Sequence, residues 1–355
     1  MAKKTIFLHI GAMKTGTSAI QNVLYQKQNK LAQTGLFIPT LSKRARNYLG
    51  FSLLSPVPDF IHTRLPEPAG DLYKQLNTEI DQCAQKTVVI STESWYQIST
   101  SHLLGAEAPR QLHRLLGGER SDRTYKVVFF IRRQDRLMES IYNQHIKNNN
   151  LYSLLQSPFS EFMDHYSGYA DLEGITRSWE SVFGREAIVL IPYTERKTNS
   201  VALFFDQVGV AIPEGISADT VNESLTNRES ELMRHLNMAS VDKSTWQRNL
   251  ALVQFINKWS GETQKGFNYF SPDERSAFMN RYQEANHRLS LQYLAGDTSW
   301  FTDPVTIPEG GPAEPITAKD FARFAASLWS HISDEEILRI IQKPDTFRSE
   351  NQRQK

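Results

Sequence analysis

Five short runs of nearly continuous apolar residues do most to restrict the fold of this chain: TIFLHI (5–10), LFIP (36–39), TVVIS (87–91), YKVVFFI (125–131) and AIVLIPY (187–193). Each is rich in β-branched or aromatic residues and lacks polar alternation, which is how strands covered on both faces read. Between them apolar residues recur at helical spacing: Ile20, Val23, Leu24 and Leu31; Leu72, Leu76 and Ile80; Leu112, Leu115 and Leu116; Leu137, Ile141 and Tyr142. Strands that alternate with helices predict an α/β fold, a mostly parallel sheet flanked by helices. From about Asn222 the strand signals stop. NESLTNRESELMRHLNM, STWQRNLALVQFINKWSG and PDERSAFMNRYQEANHRLSLQYLAG read as helices, DTSWFTDPVTIPEGGPAEPI as a surface loop, and Ala318 to Gln342 as a last helix. The expected organisation is one domain over 1–342, an α/β core (1–221) with an appended C-terminal helical layer (222–342), before a polar tail (343–355). The proline-rich stretch from Thr40 to Gly70 has no sustained period and reads as a long excursion, a kind of segment that often serves function.

Forty basic against thirty-nine acidic side chains give a formal charge of +1. No global field then draws the chain to nucleic acid or anionic lipid, and any electropositive site must be local. The single Cys83 excludes an internal disulfide framework and a cysteine-based zinc site. The apolar run after MAKK is too short for a signal-peptide core, and no run approaches the roughly 20 residues of a membrane span. The expectation is a soluble, cytoplasmic protein.

The first strand runs into HIGAMKTGTSAI (9–20). Gly11 and Gly16 are five positions apart, as in the Walker pattern GxxxxGK[ST], between a strand and a helix as that pattern requires, which makes the expected sheet P-loop NTPase-like. Glycines allow turns that aim successive N–H groups inward, and the helix offers its positive end to an anion. Thr17, however, stands in the Walker lysine's place, and the loop's lysine is Lys14. No apolar strand ends in the aspartate that a magnesium nucleotide would need: VVFFI runs into Arg132 and Arg133, and TVVIS into Thr92 and Glu93.

KTGTS at 14–18 resembles the 5′-phosphosulfate loop of sulfotransferases that use 3′-phosphoadenosine-5′-phosphosulfate (PAPS), commonly written PKSGT or RSGT. In that superfamily a strand ends in an arginine, and a serine eight positions later joins it on the 3′-phosphate. Here Arg132 closes YKVVFFIR, and Ser140 follows eight positions on. FGREAIVLIPYTE and the later VNESL are similar to the downstream part of many bacterial members, so the likeness spans about residues 4–225. Gln134 stands where the family commonly has proline, and the RKG loop of the cytosolic aryl and steroid enzymes is missing, which disfavours that subgroup. The resemblance implies PAPS as cosubstrate, no metal, and nucleotide contacts from Gly11, Lys14, Thr15, Gly16, Thr17, Ser18, Arg132 and Ser140, with Arg133 an alternative to Arg132.

Sulfuryl transfer to a hydroxyl needs a base for the acceptor and positive charge for the leaving phosphate. Lys14 suits the second role. Glu93, just after the third strand, is the candidate base, as in Golgi carbohydrate and tyrosylprotein sulfotransferases; the bland reading is an acid at a helix start. His9 and His145 compete for the role. Lys43, Arg44 and Arg46 could receive an anionic acceptor or merely be solvated, and Trp95, Tyr96, Trp300 and Phe301 could stack on a ligand or pack the core. The expected acceptor is a carbohydrate or glycolipid hydroxyl. A P-loop kinase or nucleotide hydrolase, and a noncatalytic nucleotide-binding protein, are the competing readings.

Overall fold

The computed structural model describes residues 3–54, 69–100, 103–148, 158–194, 199–212, 224–238 and 266–303. Five strands form one parallel sheet in the order β2-β3-β1-β4-β5: β1 Lys4–His9, β2 Leu36–Phe37, β3 Thr87–Ser91, β4 Arg123–Arg132 and β5 Ile188–Tyr193. All five expected strands are present. β4 begins two residues early because Arg123 pairs in register with Lys4. The fold is α/β, a P-loop-like parallel sheet flanked by helices.

The helices are α1 Thr17–Gln26, α2 Gln28–Gln33, α3 Lys43–Tyr48, α4 Ala69–Gln82, α5 Ser94–Ile98, α6 Glu107–Leu115, α7 Gln134–Asn148, α8 Phe159–Tyr166, α9 Leu172–Phe183, α10 Ser200–Val208, α11 Asn227–Met238, α12 Pro272–Asn280, α13 Gln283–Tyr293 and α14 Ser299–Thr302. On one face of the sheet, Phe7, Val89, Val128, Phe130 and Ile191 pack with Ile20, Val23 and Leu24 of α1 and Val201, Phe204 and Phe205 of α10. On the other, Phe129 meets Tyr96 of α5. A sheet covered on both faces explains the strands' lack of polar alternation.

The chain divides into two compact units. The first takes the described residues within Met1–Leu137, Tyr166–Val221 and Met279–Pro304, and holds the whole sheet. The second takes those within Met138–His165, Asn222–Phe278 and Val305–Lys355, and its described elements are helical.

Two expectations need correction. PDERSAFMNRYQEANHRLSLQYLAG forms two helices, α12 and α13, interrupted at Arg281 and Tyr282. DTSWFTDP is not a plain surface loop: α14 lies within it, with Trp300 and Phe301 buried and the Trp300 indole N–H donating to Ser290 Oγ at 2.9 Å. The expected helix over STWQRNLALVQFINKWSG, the last helix, the tail and much of the Thr40–Gly70 excursion lie outside the described residues. No described helix is long and apolar enough to cross a membrane.

Candidate active site

Ligands of open α/β sheets bind beyond the carboxyl ends of the strands. Three such ends lie side by side here, since β1 sits between β3 and β4. The loop after β1 carries Gly11 to Gly16, Glu93 follows β3, and Arg132 closes β4.

The loop's backbone is unusual at three positions: Gly11 (φ 68°), Lys14 (φ 65°) and Gly16 (φ 87°) lie in the left-handed region. At Lys14 that conformation carries a steric cost, as is common where a functional loop is held by its surroundings. Two side chains from other elements do the holding. Arg132 Nη1 donates to the Lys14 carbonyl at 2.8 Å, and Ser200 Oγ donates to the Thr15 carbonyl at 2.8 Å. In a trans peptide the carbonyl and the next residue's N–H point opposite ways. The N–H groups of Thr15 and Gly16 are therefore turned away from Arg132 and Ser200. Inside the loop, the hydroxyls of Thr15 and Thr17 reach the Ala12 carbonyl at 2.7 and 3.1 Å. In the first turn of α1 the Ala19 N–H already donates to the Gly16 carbonyl at 3.0 Å, while the N–H groups of Thr17 and the exposed Ser18 have no intrahelical acceptor. Turned N–H groups and a helix start form a concavity suited to an anion.

Both glycines are fixed by neighbours as well as by φ. A Cβ on Gly11 would lie 3.0 Å from Glu93 Cγ and 3.3 Å from Thr17 Cγ2, and one on Gly16 would lie 2.7 Å from Ser200 Cβ. Glu93 thus packs directly on the anion loop. It occupies the position before α5 without capping that helix by its side chain. It keeps a partly exposed surface but lies deep among protein atoms, and burial pushes its carboxyl above the usual range, opposed by the Thr17 hydroxyl and the charge of Lys14. Lysine, carboxyl and anion concavity are brought together on one loop.

His9 is fully buried in β1, its Nδ1 2.7 Å from Ser91 Oγ and its ring 4.9 Å from that of Phe204; burial lowers its pKa to about 3. His145 belongs to the second unit, near Phe162, with its pKa lowered by burial to about 4. Ser140 is buried on α7, also in the second unit. Arg133 is turned to Asp303, whose carbonyl it reaches at 3.2 Å, and forms an ion pair with Asp135 at 3.1 Å. Arg46 lies 3.4 Å over the Tyr25 ring and donates to the Leu41 carbonyl at 2.7 Å, while the side chains of Lys43 and Arg44 lie outside the described residues. Trp95, Tyr96, Trp300 and Phe301 are all buried, which is the core-packing alternative. Among the described residues no group of three or more His, Cys, Asp or Glu could hold a metal ion.

Sequence reasoning missed Ser200. A hydroxyl before VALFF reads as a helix cap, yet the side chain that caps α10 is Asn199, which accepts from the Ala202 N–H at 3.0 Å. Ser200 is left to grip the loop.

No family model matches the chain. Among curated proteins it is similar to an uncharacterized protein of Archaeoglobus fulgidus, 27% identical over 182 residues, which is 48% of this chain and 46% of that protein. The chain therefore spans about half the length of the curated relative it matches. Among solved structures it is similar to the crystal structure of a sulfotransferase from Alicyclobacillus acidocaldarius, at 16% identity and a TM-score of 0.39, covering 70% of this chain and 100% of that one. Likeness at that level carries no activity across.

Proposed function

We propose that this chain, as a single domain over 1–342, is a metal-independent sulfotransferase that moves the sulfuryl group of PAPS to a hydroxyl of a carbohydrate or glycolipid. The observation that carries this reading is the convergence of Lys14 and Glu93 on one anion loop, with the lysine before the second glycine rather than after it.

The donor supplies an activated sulfuryl group, whose sulfur is attacked by the acceptor oxygen as its bond to the 5′-phosphate oxygen breaks. Glu93 accepts the acceptor's proton. Lys14 and the loop N–H groups meet the charge that develops on the departing phosphate, in a setting fixed beforehand. Thr17 has one hydroxyl proton to give, shared between the Ala12 carbonyl and Glu93, so it orients the carboxyl without competing for the acceptor. Arg132, with Ser140 by its eight-residue spacing, takes the 3′-phosphate. An arginine fork suits that group.

Thermal shift tests the nucleotide half of the proposal. 3′-Phosphoadenosine-5′-phosphate should stabilise the protein, and adenosine 5′-phosphate much less; Arg132→Ala should erase the difference, the loss of a charged hydrogen bond worth roughly 1.5–3 kcal/mol. Equal shifts in the unaltered protein would sink the two-phosphate reading. Transfer should also proceed in chelator, and a strict magnesium requirement would favour a kinase.

A further inference from the structure

We propose that Tyr166, Tyr169 and Asp171 form the subsite that seats a pyranose ring of the acceptor, an inference that rests on the sulfuryl-transfer reading of the anion loop. Helix α5 connects the two places. It has five residues and is about 7.5 Å long at 1.5 Å per residue. One side of it meets the anion loop, where Glu93 packs on Gly11 and Gln97 Nε2 donates to Met13 Sδ at 3.2 Å. Tyr96 follows Glu93 by three positions, so it neighbours Glu93 on the helix surface, and its hydroxyl donates to the Tyr169 carbonyl at 2.7 Å. The Tyr96 and Tyr169 rings are stacked, with centroids 6.4 Å apart and planes 24° apart, and Tyr166 continues the series 6.0 Å from Tyr169 at 30°. Tyr96 is buried, while Tyr169 and Tyr166 keep partial exposure. A run of nearly parallel rings thus leads from the helix beside Glu93 to the surface.

The polar groups around those rings select the ligand class. Asp171 is exposed and accepts from the Gly174 N–H at 2.9 Å, capping α9. It is near enough to Tyr96 and to the half-buried Tyr282 to act on both phenols. A sugar ring has a C–H face that packs on an aromatic ring and a rim of hydroxyls that donate to a carboxylate, which can accept several hydrogen bonds. An anionic acceptor would be repelled by Asp171, and a lipid chain would bring no donors to the carboxylate oxygen that the helix cap leaves open.

Saturation-transfer NMR on the full chain tests the subsite without requiring turnover. The probes are methyl β-D-glucopyranoside, methyl β-D-galactopyranoside, methyl α-D-mannopyranoside and N-acetylglucosamine. At least one should bind, with transfer concentrated on the C–H groups of one ring face. Tyr169→Ala and Tyr166→Ala should each weaken it about tenfold, Tyr169→Phe should restore it, and affinity for 3′-phosphoadenosine-5′-phosphate should not change. Binding by none of the four, or binding that survives both alanine variants, overturns the subsite, as does transfer to 2-naphthol with no transfer to any sugar. Sugar binding that needs Tyr169 in a protein that ignores the nucleotide would retain the subsite and reject the sulfotransferase.

Discussion

The anion loop of the first unit and the α7 region of the second are both dense in buried polar groups, and they treat those groups in opposite ways. In the loop, side chains from β4 and α10 grip backbone carbonyls from outside, which turns N–H groups toward a space that a ligand could fill. In the second unit the polar side chains are directed at one another. Glu139 accepts from Arg275 Nη2 at 2.7 Å and from the Tyr269 N–H at 2.7 Å. Asn143 both donates to the Leu225 carbonyl (2.7 Å) and accepts from its N–H (3.1 Å), and it also donates to the Tyr269 hydroxyl at 2.8 Å. Buried polarity by itself therefore marks no site. The distinction is whether the donors close on each other or are held open, and a closed network supports a unique packing while an open one supports binding.

Substitutions can break that distinction. The largest effect belongs to Glu93→Gln, which preserves size but cannot take a proton: turnover should fall about 10²- to 10⁴-fold with nucleotide affinity unchanged. A pH series sharpens the test. The base works ionised and its pKa is raised, so turnover should rise with pH through a midpoint above the ordinary carboxylate range. The same shift has the opposite sign for stability. A carboxyl whose folded pKa is raised adds stability below its unfolded pKa and loses it as pH climbs through the folded one. Rate and melting temperature should therefore diverge over that window in the unaltered protein and cease to do so in Glu93→Gln.

Arg275→Ala comes next. It takes the Arg275 guanidinium away from the buried Glu139 carboxylate and should cost about 3–5 kcal/mol in denaturant unfolding, with nucleotide affinity of the folded protein unaffected. Altered affinity would mean that the closed network is no mere scaffold. The smallest effect is expected from Ser140→Ala, because Ser140 shares α7 with that network yet is proposed as a phosphate donor. Affinity for 3′-phosphoadenosine-5′-phosphate should drop by a factor corresponding to about 0.5–1.5 kcal/mol, with melting nearly constant. The reverse pattern would assign Ser140 to packing.

The sheet was legible because strands buried on both faces must be apolar throughout, and the placing of Gly11, Lys14, Gly16, Glu93 and Arg132 by neighbouring strand ends was legible because each follows or closes an apolar run. Ser200 was not, because its partner Thr15 is nearly the whole sheet away in sequence and the contact depends on how α10 docks. The stretch around Trp300 and Phe301 was misread as a surface loop because Asp297, Thr298 and Asp303 look like turn chemistry, and only the tertiary packing decides that the aromatic pair is buried. Tyr166 and Tyr169 carried no signal, since ordinary aromatics near a helix end acquire meaning only from the stacking that α5 arranges.

The contact between Gly16 and Ser200 has a historical consequence. A methyl group at position 16 collides with the serine before any question of ligand arises, so the two sites cannot vary independently. Descendants of this sequence that place a larger residue at 16 must first shrink position 200 to glycine, since alanine would keep the Cβ that lies 2.7 Å away, and even then must tolerate a left-handed backbone. The order of those changes is fixed, and mutational scans should find Gly16→Ala tolerated better in a Ser200→Gly background than alone.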